Sequence, residues 1–337
     1  MSAGRVMART WKVAKAFGAQ RLLEAAFGRA PAILMYHRFS REPMSRRVSA
    51  AVFDRQMAYA ARYCNVVSWP ELVAGLRDGV AWKSNTVAIS IDDGYSDLYE
   101  VAFPILEKYR FPVLAFVTSG FANGDFWHWT DQLHHILTNC RERGLRLDTA
   151  HGALVLPLRT QEERMSSWSE LADRCYELPE ATRSELVEEV SRRAHVPTPQ
   201  QPPPDYRPAS WDQLRSMMSA GLTIGAHSAT HPRLTRLNDA DLVTEVEGSK
   251  LSLENELQVA VTAFAYPFGT PADHDARVSD AVRRAGFRSG CVAYFDTQLH
   301  EDLFALRRFG IGADDWDFLK TVDGLKRARS LQKKLDR

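Results

Sequence analysis

A parallel α/β fold, either a sheet or a barrel, is predicted on two observations. From Pro31 onward, strand-like and helix-like segments alternate, as they do where parallel strands are joined by crossover helices. The chain has 337 residues, 45% hydrophobic and 25% charged, enough to bury a large core in one big domain or two ordinary ones.

The first element expected is a basic amphipathic helix within residues 1–30. Met7, Trp11, Ala14, Phe17, Leu22 and Ala25 recur at roughly helical spacing, while Arg5, Arg9 and Lys12 share another face. Two uses fit such a helix: packing on the domain, or peripheral docking of residues 5–27 on an anionic membrane surface. Arg5, Arg9, Lys12, Lys15 and Arg21 interrupt the apolar core that a signal peptide needs. A cytoplasmic location is therefore expected, at most peripheral to the inner face of the membrane. No run of about 20 apolar residues exists to cross a bilayer.

Candidate strands follow in order at "AILMYH" (32–37), "CNVVS" (64–68), "TVAISID" (86–92), "PVLAFVT" (112–118), "LTIGAH" (222–227), "VTAFAYP" (261–267), "CVAYF" (291–295) and "FALRRFGI" (304–311). Helical stretches fill most gaps. The regularity breaks between about Asp125 and Pro208, where "FWHWTDQLHHIL" leads into a charged helical stretch and then "PTPQQPPPDYRP". Those prolines bar both a helix and a central strand. A helical insertion is expected at about 125–208 within a main domain spanning 31–312, with a basic helix over 313–337.

Composition excludes several functions. The 43 Lys and Arg against 42 Asp and Glu give a formal charge of +1, so no overall field recruits nucleic acid. Cys64, Cys140, Cys175 and Cys291 are far apart and form no C-x-x-C pair, so reduced thiols are expected rather than a disulfide framework or a thiolate metal site.

The stretch "AISIDDGYSD" (88–97) carries the first chemical signal, because an apolar strand runs straight into the adjacent carboxylates Asp92 and Asp93. In parallel α/β folds, functional groups gather at the carboxyl ends of strands. Two neighbouring carboxylates repel unless a cation neutralises one of them. The sequence offers ligands for one in "IGAHSATHPRL" (224–234), where a second strand ends in His227 and His231 follows four residues later. Imidazoles with a carboxylate suit Zn2+ or a neighbouring first-row metal, and three protein ligands leave positions open for water and substrate.

These residues also carry a resemblance. Ser90-Ile91-Asp92-Asp93-Gly94 is similar to the [TS]-F-D-D-G motif, and His227-Ser228-Ala229-Thr230-His231 to the H-[ST]-x-x-H motif, of the polysaccharide deacetylase family, carbohydrate esterase family 4. "FAYPFG" (264–269) resembles that family's loop beside the substrate acetyl group, and "ALRRFGI" (305–311) a late strand of its bacterial members. The resemblance implies a distorted (β/α) barrel with about seven parallel strands, and removal of an N-acetyl group from an acetylated amino sugar. It further implies Asp93, His227 and His231 as metal ligands and Asp92 as general base. Tyr266, Pro267 and Phe268 would lie beside the substrate, a backbone N–H near Tyr266 supporting the oxyanion.

Two features depart from the family pattern. Phe264 and Ala265 stand where the family has an arginine that orients the base, leaving Arg307 or Arg308 to replace it. The late L-x-H motif that supplies the general acid is not evident, and His300 is a weak substitute. His37 in "ILMYHRF" (33–39) closes the first strand, and the M-Y-H stretch resembles the start of deacetylases acting on poly-N-acetylglucosamine, which implies His37 as the acid. Trp127, His128, Trp129 and Asp131 have the character either of a sugar-binding surface or of a packed helix start.

Two other functions remain open. Two histidines and a carboxylate also describe the facial triad of non-haem iron oxygenases, although that triad typically begins with H-x-D. The missing arginine points to a carbohydrate-binding protein without catalysis.

Overall fold

The computed structural model describes residues 3–27, 29–149, 152–296 and 302–335. The chain forms two compact units, one comprising residues 1–123 with 208–337 and the other residues 124–207.

The larger unit is a nearly closed barrel of parallel strands. In chain order these are β1 (Ala32–Tyr36), β2 (Asn65–Val66), β3 (Thr86–Ile91), β4 (Val113–Val117), β5 (Thr223–Ala226), β6 (Ala263–Ala265), β7 (Ser289–Cys291) and β8 (Arg308–Gly310). Seven follow one path, β7-β6-β5-β4-β3-β1-β8, and the short β2 pairs beside β3. A parallel bridge between Cys291 and Leu306 links β7 to the approach of β8. The register runs from Ala32↔Val87 to Tyr36↔Ile91 between β1 and β3, and from Leu114↔Thr223 to Val117↔Ala226 between β4 and β5.

Both faces of this sheet are covered, so the strands read as apolar runs. Ile33, Ala88, Leu114, Phe116, Ala265 and Leu306 share an inner cluster, into which Trp69 and Leu72 also pack. The alternate residues Leu34, Val87, Ile89, Val113, Ala115 and Ile224 meet the surrounding helices. Gly225 lies where a Cβ would come within 2.6 Å of the Phe116 ring, so only glycine lets β5 approach β4 there.

Seven of the eight expected strands overlap the observed ones closely. The eighth is displaced: β7 is Ser-Gly-Cys, ahead of most of "CVAYF". Its pairing is set by close approach, since a Cβ at Gly290 would lie 2.7 Å from the Tyr266 hydroxyl, and not by the apolar run that followed. All four cysteines are free. Burial pushes the thiols of Cys175 and Cys291 up to about 12.

The smaller unit is not helical throughout. Helices Trp129–Asn139, Gln161–Glu177 and Glu180–Ala194 accompany an antiparallel hairpin of Gly144–Thr149 and Gly152–Pro157. Leu145, Leu147, Leu154 and Leu156 alternate along the hairpin and are buried with Leu133, Ile136, Leu171 and Val190. That period of two is a strand signal, short and set between longer helical stretches. After the prolines, only a single 3-10 turn, Pro204–Tyr206, forms.

Candidate active site

Alternation along β3 sends Ala88, Ser90 and Asp92 toward the barrel interior. Asp92 lies one residue past the strand, its N–H donating to Tyr36 O at 2.9 Å as one more rung of the ladder. Arg308 on β8 meets its carboxylate in two parallel bonds, Nη1 to Oδ1 at 2.6 Å and Nη2 to Oδ2 at 2.7 Å. Both side chains are fully buried. The guanidinium also donates to Val292 O from Nε at 3.0 Å and to Ser90 Oγ from Nη1 at 3.2 Å. Burial opposes the Arg308 charge, but the Asp92 carboxylate outweighs it and raises the pKa. Of the two arginines expected near the base, Arg308 therefore takes the position. Arg307 is instead paired with Asp296, at 3.0 and 3.1 Å, and packs over the Tyr294 ring.

His37, the residue after β1, holds Nε2 3.9 Å from Asp92 Oδ2 with its side chain 44% exposed. It is the solvent-facing neighbour of a buried carboxylate.

Asp93 leaves the strand with φ of 75°, which turns its side chain away from that of Asp92. The next residue, Gly94, has φ of 85°, and a Cβ there would also press on Val117 at 3.1 Å. His227 Nε2 and His231 Nε2 lie 3.4 and 3.7 Å from the same oxygen, Asp93 Oδ1. The three ligand atoms fall within 4.8 Å of one another. His227 Nδ1 is 2.8 Å from Ala265 O, and because a carbonyl only accepts, Nδ1 carries the proton. That second contact fixes the ring and leaves Nε2 to face Asp93. Two imidazole nitrogens and one carboxylate oxygen, so oriented, fit a zinc-type divalent ion. Burial works against a charge on His227, yet Asp93 and Asp92 outweigh it and raise its pKa.

Loops supply the rest of the setting. Glu245, from helix Asp239–Leu257, accepts Ala229 N and Thr230 N at 2.9 Å each and the Thr230 hydroxyl at 2.5 Å. Ser228 Oγ accepts His231 N at 3.0 Å, closing the turn that carries the second histidine. Arg233 pairs with Asp273 at 2.8 Å, and Asp273 also accepts Thr270 N and Oγ1, so the His231 loop is tied to the loop after β6. Phe268, in that second loop, places its ring 4.8 Å from the His231 ring. Pro267 precedes it and accepts Gly269 N at 2.6 Å.

Sequence reasoning did not find Glu245, Arg233 or Asp273. The signal for Glu245 was present, since a carboxylate interrupts the buried stripe of Leu242, Val246, Ser249 and Leu253. The Arg233–Asp273 pair spans 40 residues and has no local signal.

Other expected residues sit elsewhere. Tyr266 is fully buried, its N–H donates to Cys291 O and its hydroxyl to Phe304 O, so neither group is available as an oxyanion donor. Trp127 is buried, with Nε1 donating to Pro199 O and its ring against Tyr206, and Trp129 packs against the core of the smaller unit. His300 lies outside the described residues.

The Arg308 pairing generates a stability test. Arg308→Met leaves the Asp92 carboxylate buried with no counter-charge, which costs about 3–5 kcal/mol. Urea unfolding is expected to show that loss, and an unchanged midpoint would refute the dependence of the barrel on this pair.

Comparison with known proteins places the family and the fold. A sequence profile of the family described as polysaccharide deacetylase matches residues 80–290, more than half of the chain. Curated proteins give no sequence match. Among solved structures, the Streptococcus pyogenes deacetylase PplD in complex with acetate superposes with a TM-score of 0.56 at 18% identity, covering 86% of this chain and 97% of that one. IcaB from Ammonifex degensii gives 0.56 at 16% identity, with 87% and 96% covered. A de-N-acetylase from Aggregatibacter actinomycetemcomitans gives 0.51 at 16% identity, with 84% and 95% covered. The non-catalytic reading rested on a missing arginine, and Arg308 removes that reason. Matched across both motif loops by the profile and across most of its length by the fold, the chain belongs to the polysaccharide deacetylase family.

Proposed function

We propose that the chain hydrolyses the N-acetyl group of an acetylated amino sugar, carried on a polysaccharide, an oligosaccharide or a glycan precursor, and depends on a divalent metal, Zn2+ by its donor set. The observation that carries this reading is a buried carboxylate, Asp92, locked by Arg308 beside the cluster of Asp93, His227 and His231. Family membership supports carbohydrate N-deacetylation as the reaction class.

Asp93, His227 and His231 would hold a divalent ion, which would supply Lewis acidity toward a water and an acyl carbonyl. Asp92 is the base: its carboxylate accepts the proton of the water that attacks the acetamide carbon. Arg308 holds both carboxylate oxygens at one angle throughout, so little reorganisation accompanies the transfer. His37 is the acid. It is exposed, on the outer side of Asp92, and donates a proton to the departing nitrogen, which leaves as a neutral amine while the acyl group leaves as acetate.

Three expected outcomes follow. Asp93→Ala, His227→Ala and His231→Ala each lose bound metal and acetate release together, because a three-ligand site rarely tolerates loss of one ligand. Full metal content in any of them, by elemental mass spectrometry, would show the ligand set to be wrong. Asp92→Asn keeps its metal and lowers acetate release from acetylated glucosamine oligomers by about 10²–10⁴-fold; near-normal turnover removes Asp92 as the base. His37→Gln slows hydrolysis of the amide far more than that of an activated acetyl ester, whose leaving group needs no proton. Equal losses on the two substrates assign His37 a structural role.

A further inference from the structure

The helix Ala3–Ala16 has two opposite faces, and the structure fixes which one is outward. Gly4, Ala8, Trp11 and Lys15, spaced by four, three and four residues, form the inward stripe. A Cβ at Gly4 would lie 3.5 Å from Asp314 and 3.6 Å from Trp316, and Ala8 is buried. Trp11 Nε1 and Lys15 Nζ both donate to Asp323, at 2.8 and 2.6 Å. Asp323 also accepts from Tyr59 OH at 2.9 Å and from Asn85 Nδ2 at 3.3 Å, and its side chain is fully buried. A buried carboxylate with these donors locks the rotation of the helix. The expectation of one apolar face that includes Trp11 is therefore corrected: Trp11 turns inward, while Met7, Phe17 and Leu22 turn out.

The outward face is apolar. Val6, Met7, Val13 and Phe17 are 49%, 52%, 58% and 85% exposed, and Leu22 of the next helix, Ala19–Phe27, is 73% exposed. Five of the twelve large hydrophobic residues exposed among the described residues thus fall between positions 6 and 22, which is a patch and not random scatter. Its surroundings are basic. Apart from the inward Lys15, residues 1–30 hold Arg5, Arg9, Lys12, Arg21 and Arg29 against a single acid, Glu24, which is engaged by Arg29 and Ser84. Exposed Arg9 is a helical neighbour of both Val6 and Val13, and exposed Arg21 adjoins Leu22. An apolar stripe edged by cations matches a bilayer with anionic headgroups, which takes the side chains into its interface and the charges at its surface.

We infer that residues 6–22 are a membrane-docking surface that lays the protein on an anionic bilayer by the end of the barrel opposite Asp92. Asn85 immediately precedes β3 and Ala30, held by Arg327, lies two residues before β1, so the helices sit at the amino ends of the strands, whereas Asp92 and His37 follow their carboxyl ends. The site then opens away from the lipid.

Sedimentation of the full chain with phosphatidylcholine vesicles, with and without phosphatidylglycerol, tests this. Binding is expected with phosphatidylglycerol only and is expected to weaken as salt is raised. The double variant Val13→Glu, Phe17→Glu should bind at least about tenfold less, with melting temperature and acetate release from soluble oligomers unchanged. Arg21→Glu should weaken binding to anionic vesicles without altering the melting temperature. Retained binding by the double variant, or no sedimentation of the parent chain with anionic vesicles, overturns the inference. So does a dimer, detected by light scattering, that Phe17→Glu dissociates in a protein that ignores vesicles.

Discussion

The bidentate contact between Arg308 and Asp92 constrains both the fold and the chemistry. A carboxylate almost wholly withdrawn from water costs several kcal/mol unless it is paired, and a guanidinium at the same depth costs as much. Neither is stable in the barrel alone. The pair forms only if β8 lands beside β1 with Arg308 opposite Ile33, and only if β1 lies in register with β3. Ser90, donating to Leu34 O at 2.9 Å and accepting from Arg308, joins the same three strands. Correct closure of the barrel and correct aim of the Asp92 carboxylate are therefore one event, and the arginine that holds it comes from a strand other than the one that ends at Ala265.

Around that rigid centre the loops carry strain. Among the described residues, nine that are not glycine have positive φ, and four of them, Asp93, Ser228, His231 and Phe268, belong to the loops of the site. Each such conformation costs about 1–2 kcal/mol. The conformations persist because neighbours over-determine them. Glu245 takes three hydrogen bonds from the 229–230 backbone and hydroxyl, and the Arg233–Asp273 pair ties the loop carrying His231 to the one carrying Phe268. The Asp93, His227 and His231 side chains are thus held toward one another by contacts from the surrounding loops.

Much of this was legible in the sequence because it is local. A strand ending in Asp92 and Asp93, and another ending in His227 with His231 four residues on, are patterns within five or six residues, and a parallel barrel collects strand ends by its topology. What could not be read depends on pairing across long separations. The choice of Arg308 over Arg307 follows from which parity of β8 faces inward, and one residue of register decides it. The partners of Tyr266 were equally unreadable, since its N–H meets Cys291 O and its hydroxyl Phe304 O across 25 and 38 residues. The hairpin at 144–157 was missed because charged helical stretches surround it, although its leucines alternate.

The two ends of the barrel solve different problems with the same device, a buried carboxylate surrounded by donors. At the carboxyl ends Asp92 is held by one cation and faces His37 at 3.9 Å, so one side of it remains open to reactants. At the amino ends Asp323 is enclosed by Trp11, Lys15, Tyr59 and Asn85, and its role is purely to position. The six residues of β3 separate the two levels by about 20 Å. The contacts that seat the first helix on Asp323 and those that hold Asp92 on Arg308 therefore share no side chain, and a substitution around Asp323 can alter the seating of that helix without touching the partners of Asp92.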